Sequence, residues 1–97
     1  MDTLRETVRS VMEGYAKRGY NSRSHLMQNE DGTLFTVITV PEKSASFVSL
    51  LVRVIGQKVI IERDQNDKML VDALIQAGVS REKIVLAYAG EPVPESA

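Results

Sequence analysis

The chain contains no cysteine, which excludes disulfides and thiolate metal sites outright. It also lacks a surplus of positive charge: 12 basic residues face 13 acidic ones, for a net charge of −1. Phosphate neutralisation supplies most of the affinity of nucleic-acid binders, so direct, tight DNA binding is not expected. No long apolar run is present. The longest nearly apolar stretch, Phe47 to Ile55, is interrupted by Ser49 and Arg53 and is too short to span a bilayer. The opening residues Asp2, Thr3, Leu4, Arg5 and Glu6 place acids where a secretory leader would be apolar, so no signal peptide is expected. A soluble protein of a reducing, cytoplasmic compartment is the expectation. The 6 glycines stand singly, and none builds a loop that could cradle phosphate.

What is present is the balance of a small globular domain. With 97 residues, 43% apolar and 26% charged, the chain suffices for one hydrophobic core and not for two. Residues 1–90 are expected to form that single domain. Residues 91–97, which contain Pro92 and Pro94, are expected to be a flexible tail.

The patterning gives an order of elements. Leu4, Val8, Val11, Met12 and Tyr15 recur at helical spacing and predict a helix over 3–18. Thr3 and Glu6 are spaced as a capping box at its start, and Gly19 is placed to end it. A strand near 23–29 leads into Asp31-Gly32, a hairpin signal that suits a primed turn with positive φ at both central residues. Strands follow at 33–40 and 47–55. Gly56-Gln57 is suited to a type II′ turn into a fourth strand at 58–63. Asp64 and Asp67 offer caps for a second helix at 67–77, closed by Gly78. Ser80 is placed to cap a short turn through Arg81-Glu82-Lys83, ahead of a last strand at 84–89. The predicted fold is α+β, in the order α-β-β-β-β-α-β, with a mostly antiparallel sheet covered by two helices on one face.

Candidate chemistry is sparse. His25, the only histidine, has no recognisable partner for acid–base work, and a surface role is expected. Glu62, Asp64 and Asp67 could offer oxygen ligands to a hard cation. They lack the spacing of a calcium loop and are interleaved with Arg63 and Lys68, so helix capping accounts better for Asp64 and Asp67. Arg5, Arg9, Lys17, Arg18 and Arg23 exceed their neighbouring acids Asp2, Glu6 and Glu13 by two charges, the mix of an ordinary solvated helix face. No serine has a base with an orienting partner. No catalytic, cofactor-binding or metal-ligating residue is assigned, and no enzyme activity or cofactor is expected.

One segment resists so bland an account. Strict alternation over 47–55 places Phe47, Leu51 and Ile55 on one strand face and Val48, Leu50, Val52 and Val54 on the other. A strand apolar on both faces is usually covered on both. Two short helices leave one face short of cover, and a second polypeptide would hide it at about 25 cal/mol per Å² of apolar area removed from water. Phe47, Leu51 and Ile55 are therefore the candidate interface, and a homo-oligomer, with a dimer as the expected state, follows.

The C-terminal third has a further feature. Gly56-Gln57-Lys58-Val59-Ile60-Ile61, then Asp64, then a helix closing in Leu74-Ile75-Gln76-Ala77-Gly78-Val79, leads to Ser80-Arg81-Glu82-Lys83-Ile84-Val85-Leu86-Ala87-Tyr88. This pattern resembles the XisI family, the fdxN-element excision-controlling factors known mainly from cyanobacteria. Val11-Met12 and Tyr15-Ala16 are similar to the family's opening helix. The segment from Glu30 to Val54 matches loosely and lacks the tryptophans common in the family's central strands. The resemblance implies an accessory protein that acts beside a separate recombinase in excising a DNA element, often accompanied by a nuclease-like protein, XisH. It carries no established catalytic residues onto this chain. The expected function is a non-enzymatic accessory or regulatory protein in site-specific DNA excision, acting through protein contacts, with a XisH-like protein as candidate partner. Two other readings stay open. One is an antitoxin-like inhibitor of a nuclease-like partner; the other is a small ligand-binding domain or enzyme with a site at an interface.

Overall fold

The structure, a computed structural model, describes residues 3–17, 19 and 21–94, with Thr3 described by its backbone alone. Helix α1 (Thr3–Glu13) precedes strands β1 (Ser22–Gln28), β2 (Leu34–Pro41), β3 (Phe47–Ile55) and β4 (Lys58–Asp64). Helix α2 (Leu70–Gln76) and strand β5 (Ile84–Leu86) follow, with single 3₁₀ turns at Arg81–Lys83 and Ala87–Ala89. The five strands form one sheet in the order β1-β2-β3-β4-β5. Its first three pairings are antiparallel, and β4 with β5 is parallel, the α2 segment making the crossover. The α+β order expected from the sequence is the one found.

One side of the sheet carries the core. Leu4, Val8 and Met12 of α1 and Leu70 and Leu74 of α2 are buried against Phe35, Val37, Leu50, Val52, Val54, Val59, Ile61 and Ile84. The stripe read from the sequence is thus the face α1 buries. The helix itself is shorter than expected. It stops at Glu13, and the Gly14, Tyr15 and Ala16 amides bond back three residues, to the Val11, Met12 and Glu13 carbonyls. Gly14 weakens helix propagation, and tertiary bonds then draw the chain elsewhere. Lys17 C=O accepts from Ser24 N–H at 2.9 Å, and Gly19 N–H donates to Ser22 C=O at 2.8 Å, so this segment lies along β1 instead of prolonging α1. Gly19 therefore does not end the helix. The capping box falls on the Thr3 side chain, and Arg18 and residues 95–97 likewise lie outside the described residues.

The turns follow local chemistry. In the β1–β2 connection only Gly32 has positive φ (67°), so the two-residue primed turn is not formed. A five-residue loop replaces it, closed by Gly32 N–H to Asn29 C=O. The Asn29 carboxamide oxygen accepts from the Thr33 and Leu34 amides. Asn29 supplied what the Asp31-Gly32 signal alone could not. At Gly56-Gln57 the expected geometry holds: Gly56 has φ 58°, no described non-glycine residue has positive φ, and Ile55 pairs with Lys58.

Helix α2 starts three residues later than expected, and its cap comes from a distance. The Asp64 carboxylate, at the end of β4, accepts from Leu70 N–H at 2.6 Å with one oxygen and from Asn66 N–H at 3.1 Å with the other. Asp67 is exposed and outside this arrangement. The other end is a Schellman motif: Val79 N–H donates to Leu74 C=O and Gly78 N–H to Ile75 C=O, with Gly78 at φ 101° and Val79 and Leu74 both in the core. Ser80 precedes its 3₁₀ turn without a side-chain cap.

Strand β5 is three residues long, not six, and its outer edge is bonded by side chains. Arg81 Nη1 donates to Ile84 C=O at 2.7 Å, Leu86 N–H donates to Glu91 Oε1 at 2.9 Å, and Arg81 Nη2 joins Glu91 Oε2 at 2.9 Å. The Leu86 N–H bond first, and the Arg81 guanidinium second, hold the Glu91 carboxyl below its ordinary range.

Two outcomes are expected. Asp64→Ala should cost about 1–2 kcal/mol in urea denaturation, the value of a lost helix cap, whereas Asp67→Ala should stay within about 0.5 kcal/mol. Because folding lowers the pKa of Glu91, its stabilisation is present above the unfolded carboxylate range and fades as pH falls through the folded value. The stability gap between wild type and Glu91→Gln should accordingly close on acidification, and urea melts across acid pH read it directly.

Candidate functional site

Two bulges decide what the second side of the sheet displays. Val37 pairs with Leu50 but Ile38 pairs with Val48, leaving Ser49 as an extra residue in β3. Leu51 pairs with Arg63 and Val52 with Ile61, leaving Glu62 extra in β4. Ser49 is buried. Its hydroxyl donates to Val37 C=O at 3.1 Å and accepts from the Thr39 hydroxyl at 3.1 Å, and Thr39 also meets the Ser24 hydroxyl. This ladder pins the bulge in place.

The bulge at Ser49 corrects the strand faces expected from alternation for Phe47, Leu51 and Ile55. Phe47 pairs with Thr39, on the helix side, while Val48 pairs with Ile38 on the opposite side. Leu51 pairs with Thr36, and Ile55 lies two pleats beyond it, both on the side without helices. Phe47 is thus separated from Leu51 and Ile55, and Val48 takes its place beside them. Strict period-two reading fails here because one inserted residue inverts every side chain before it.

The helix-free side, the open face, is therefore built as cross-strand rows. His25, Ile38 and Val48 make one; Met27, Thr36, Leu51 and Arg63 the next; Leu34, Arg53, Ile60 and Val85 the third. Ile60 and Val85 are buried although they stand outside the helix-closed core, so the apolar area left uncovered lies over β1–β3. There Met27 is 55% exposed, Val40 40% and Leu34 38%. The Arg53 guanidinium is bound to Glu62, which puts that carboxylate in an ion pair and not in a cation site. His25 is exposed, opposite Ile38. Sequence reasoning missed Met27, Leu34, Ile38, Val40 and Val48 as members of this face. Only the strand register could have assembled them.

The polar groups nearest a cleft are engaged in bonds within the chain. Arg5 donates to Asp31 C=O at 3.1 Å. A cleft of about 400 Å³ between the end of α1 and the approach to α2 is lined by Tyr15, Lys17, Asn66, Asp67 and Lys68. Its size falls in the ligand-site range, yet the Tyr15 hydroxyl donates to Lys68 C=O at 2.8 Å and Asp64 is occupied in capping. Burial first, then the charges of Asp64 and Asp72, push the Tyr15 phenol above its ordinary value. The same causes raise Tyr88, with Glu91 adding to them and Arg81 opposing. Neither phenol is poised for proton transfer near neutrality. Among the described residues no helix is long and apolar enough to cross a membrane.

These features define an α+β domain whose sheet is closed by two helices on one side and left partly bare on the other. A family model described as XisI protein matches residues 1–95, and the chain belongs to the XisI family. Its fold is shared with a XisI-like protein from Anabaena variabilis ATCC 29413, at a TM-score of 0.73 and 18% identity over 87% of this chain and 83% of that one. It is shared as well with the fdxN element excision controlling factor XisI from the same organism, at a TM-score of 0.66 and 18% identity over 87% and 88% of the two chains. No curated protein matches the sequence.

Proposed function

We propose that this protein is a non-enzymatic accessory or regulatory factor of site-specific DNA excision, and that it acts through protein–protein contacts made by the open face. Family membership supports the excision role, and a solved structure of the same fold is described as an fdxN element excision controlling factor. The single observation that carries the contact mechanism is the uncovered apolar area over β1–β3, where Met27, Leu34 and Val40 are exposed beside half-buried Leu51 and Val48. Soluble monomers rarely leave such a patch without a use. The occupant in this reading is a second polypeptide: another copy of the chain, or the XisH-like protein that the family resemblance brings.

The test is genetic and quantitative. Removing the gene from its native host should abolish the excision junction measured by PCR, and the wild-type chain should restore it. Leu51→Lys should fold, with wild-type far-UV circular dichroism, and fail to restore the junction. Undiminished junctions without the gene would dispose of the excision role; full rescue by Leu51→Lys would dispose of the open face as its surface.

A further inference from the structure

Sheet edges present unpaired N–H and C=O groups that invite pairing with another chain. The two edges here are closed by different means. On β1 the backbone of Lys17 and Gly19 bonds Ser24 N–H and Ser22 C=O. On β5 backbone bonds close only part of the edge: Ile84 N–H donates to Arg81 C=O, and Glu91 N–H donates to Leu86 C=O at 3.1 Å. Ile84 C=O and Leu86 N–H, which point the same way off the strand, are met by the Arg81 guanidinium and the Glu91 carboxylate, and those two groups are joined to each other. Together they offer one donor and one acceptor where a neighbouring strand would offer its peptide groups.

We infer that Arg81 and Glu91 form a clasp standing in for a sixth strand, and that opening it lets two copies of the chain pair edge to edge through Ile84–Leu86. The geometry names the occupant. In an antiparallel pairing about a twofold axis through Val85, Leu86 N–H of each copy meets Ile84 C=O of the other. The two groups that the clasp holds are therefore the two that satisfy one another across the axis. The arrangement uses the β5 edge and not the uncovered area over β1–β3, so it stands apart from the excision reading.

Val85 would face its own copy as a non-hydrogen-bonded pair, at a Cα separation of about 4.5 Å, within disulfide range. The chain has no cysteine of its own, so Val85→Cys introduces a single reporter thiol. Val85→Cys with Glu91→Ala should form a covalent dimer under mild oxidation, read on a non-reducing gel, and light scattering should show twice the mass of the Val85→Cys parent. Arg81→Ala opens the same clasp from its other side and should act alike, which serves if either variant folds poorly. Adding Leu51→Lys, which alters the open face, should leave the cross-link unchanged. Folded clasp variants with no cross-link and the parent mass would overturn the clasp, as would equal cross-linking by Val85→Cys alone. Loss of the cross-link on adding Leu51→Lys would assign it to the open face instead.

Discussion

Coverage is the constraint from which the rest of this structure follows. Five strands spaced about 4.8 Å apart make a sheet roughly 20 Å wide. Helices of 11 and 7 residues are about 16 and 10 Å long, each about 10 Å across. Two such cylinders side by side close one face of a sheet this wide and have nothing left for the other. The chain resolves the shortage by putting Leu50, Val52, Val54, Val59 and Ile61 under the helices and distributing its other apolar side chains over the second face. Ile60 and Val85 are buried there, while the β1–β3 region is not.

The bulges adjust this division residue by residue. Without the extra Ser49, Phe47 would join Leu51 on the open face and Val48 would return to the helix side. With it, the smaller Val48 lies between Ile38 and Leu51. Phe47 moves to the end of the helix side, where it stays 41% exposed beyond the reach of either helix. Ser49 can occupy a buried position because both of its hydrogen-bonding capacities are used, by Val37 C=O and the Thr39 hydroxyl. The Glu62 bulge has a comparable logic. It turns a carboxylate toward Arg53, so that a charge on an apolar face is neutralised within the chain.

How much of this could be read from the residues depended on how local each cause was. The β3 limits, the Gly56-Gln57 turn and the Gly78 helix stop are set by neighbours in sequence, and they were legible. The apolar stripe of α1 was legible too, but not its end, because Lys17 and Gly19 are drawn onto β1 by bonds to Ser22 and Ser24. Asp64 was recognised as a cap, yet it reaches Leu70 across a loop, a span that capping statistics do not contain. Phe47 was grouped with Leu51 and Ile55 because alternation carries no sign of a bulge. Arg81 and Glu91 gave no signal, being ten residues apart and joined only once β5 is placed.

The chemistry of the open face suits one kind of macromolecule better than another. Single-stranded nucleic acid is held by aromatic platforms in a basic groove. Among the described residues no Phe or Tyr ring stands on the open face, and its one ring is the His25 imidazole: Phe35 is in the core, Phe47 is on the helix side, Tyr15 packs against the core and Tyr88 follows β5. Duplex binding rests on free cations spaced to meet phosphates. Here Arg53 is held by Glu62 and Lys58 leans toward the Glu82 carbonyl, which leaves Arg23 and Arg63 at opposite margins of an apolar field. An apolar centre with a sparse polar rim is the composition of a protein interface core, and this supports contacts with another polypeptide over direct contact with DNA. With both edges already bonded, such contact must be made by side chains across the face, so its specificity would lie in the shape set by the Ser49 and Glu62 bulges.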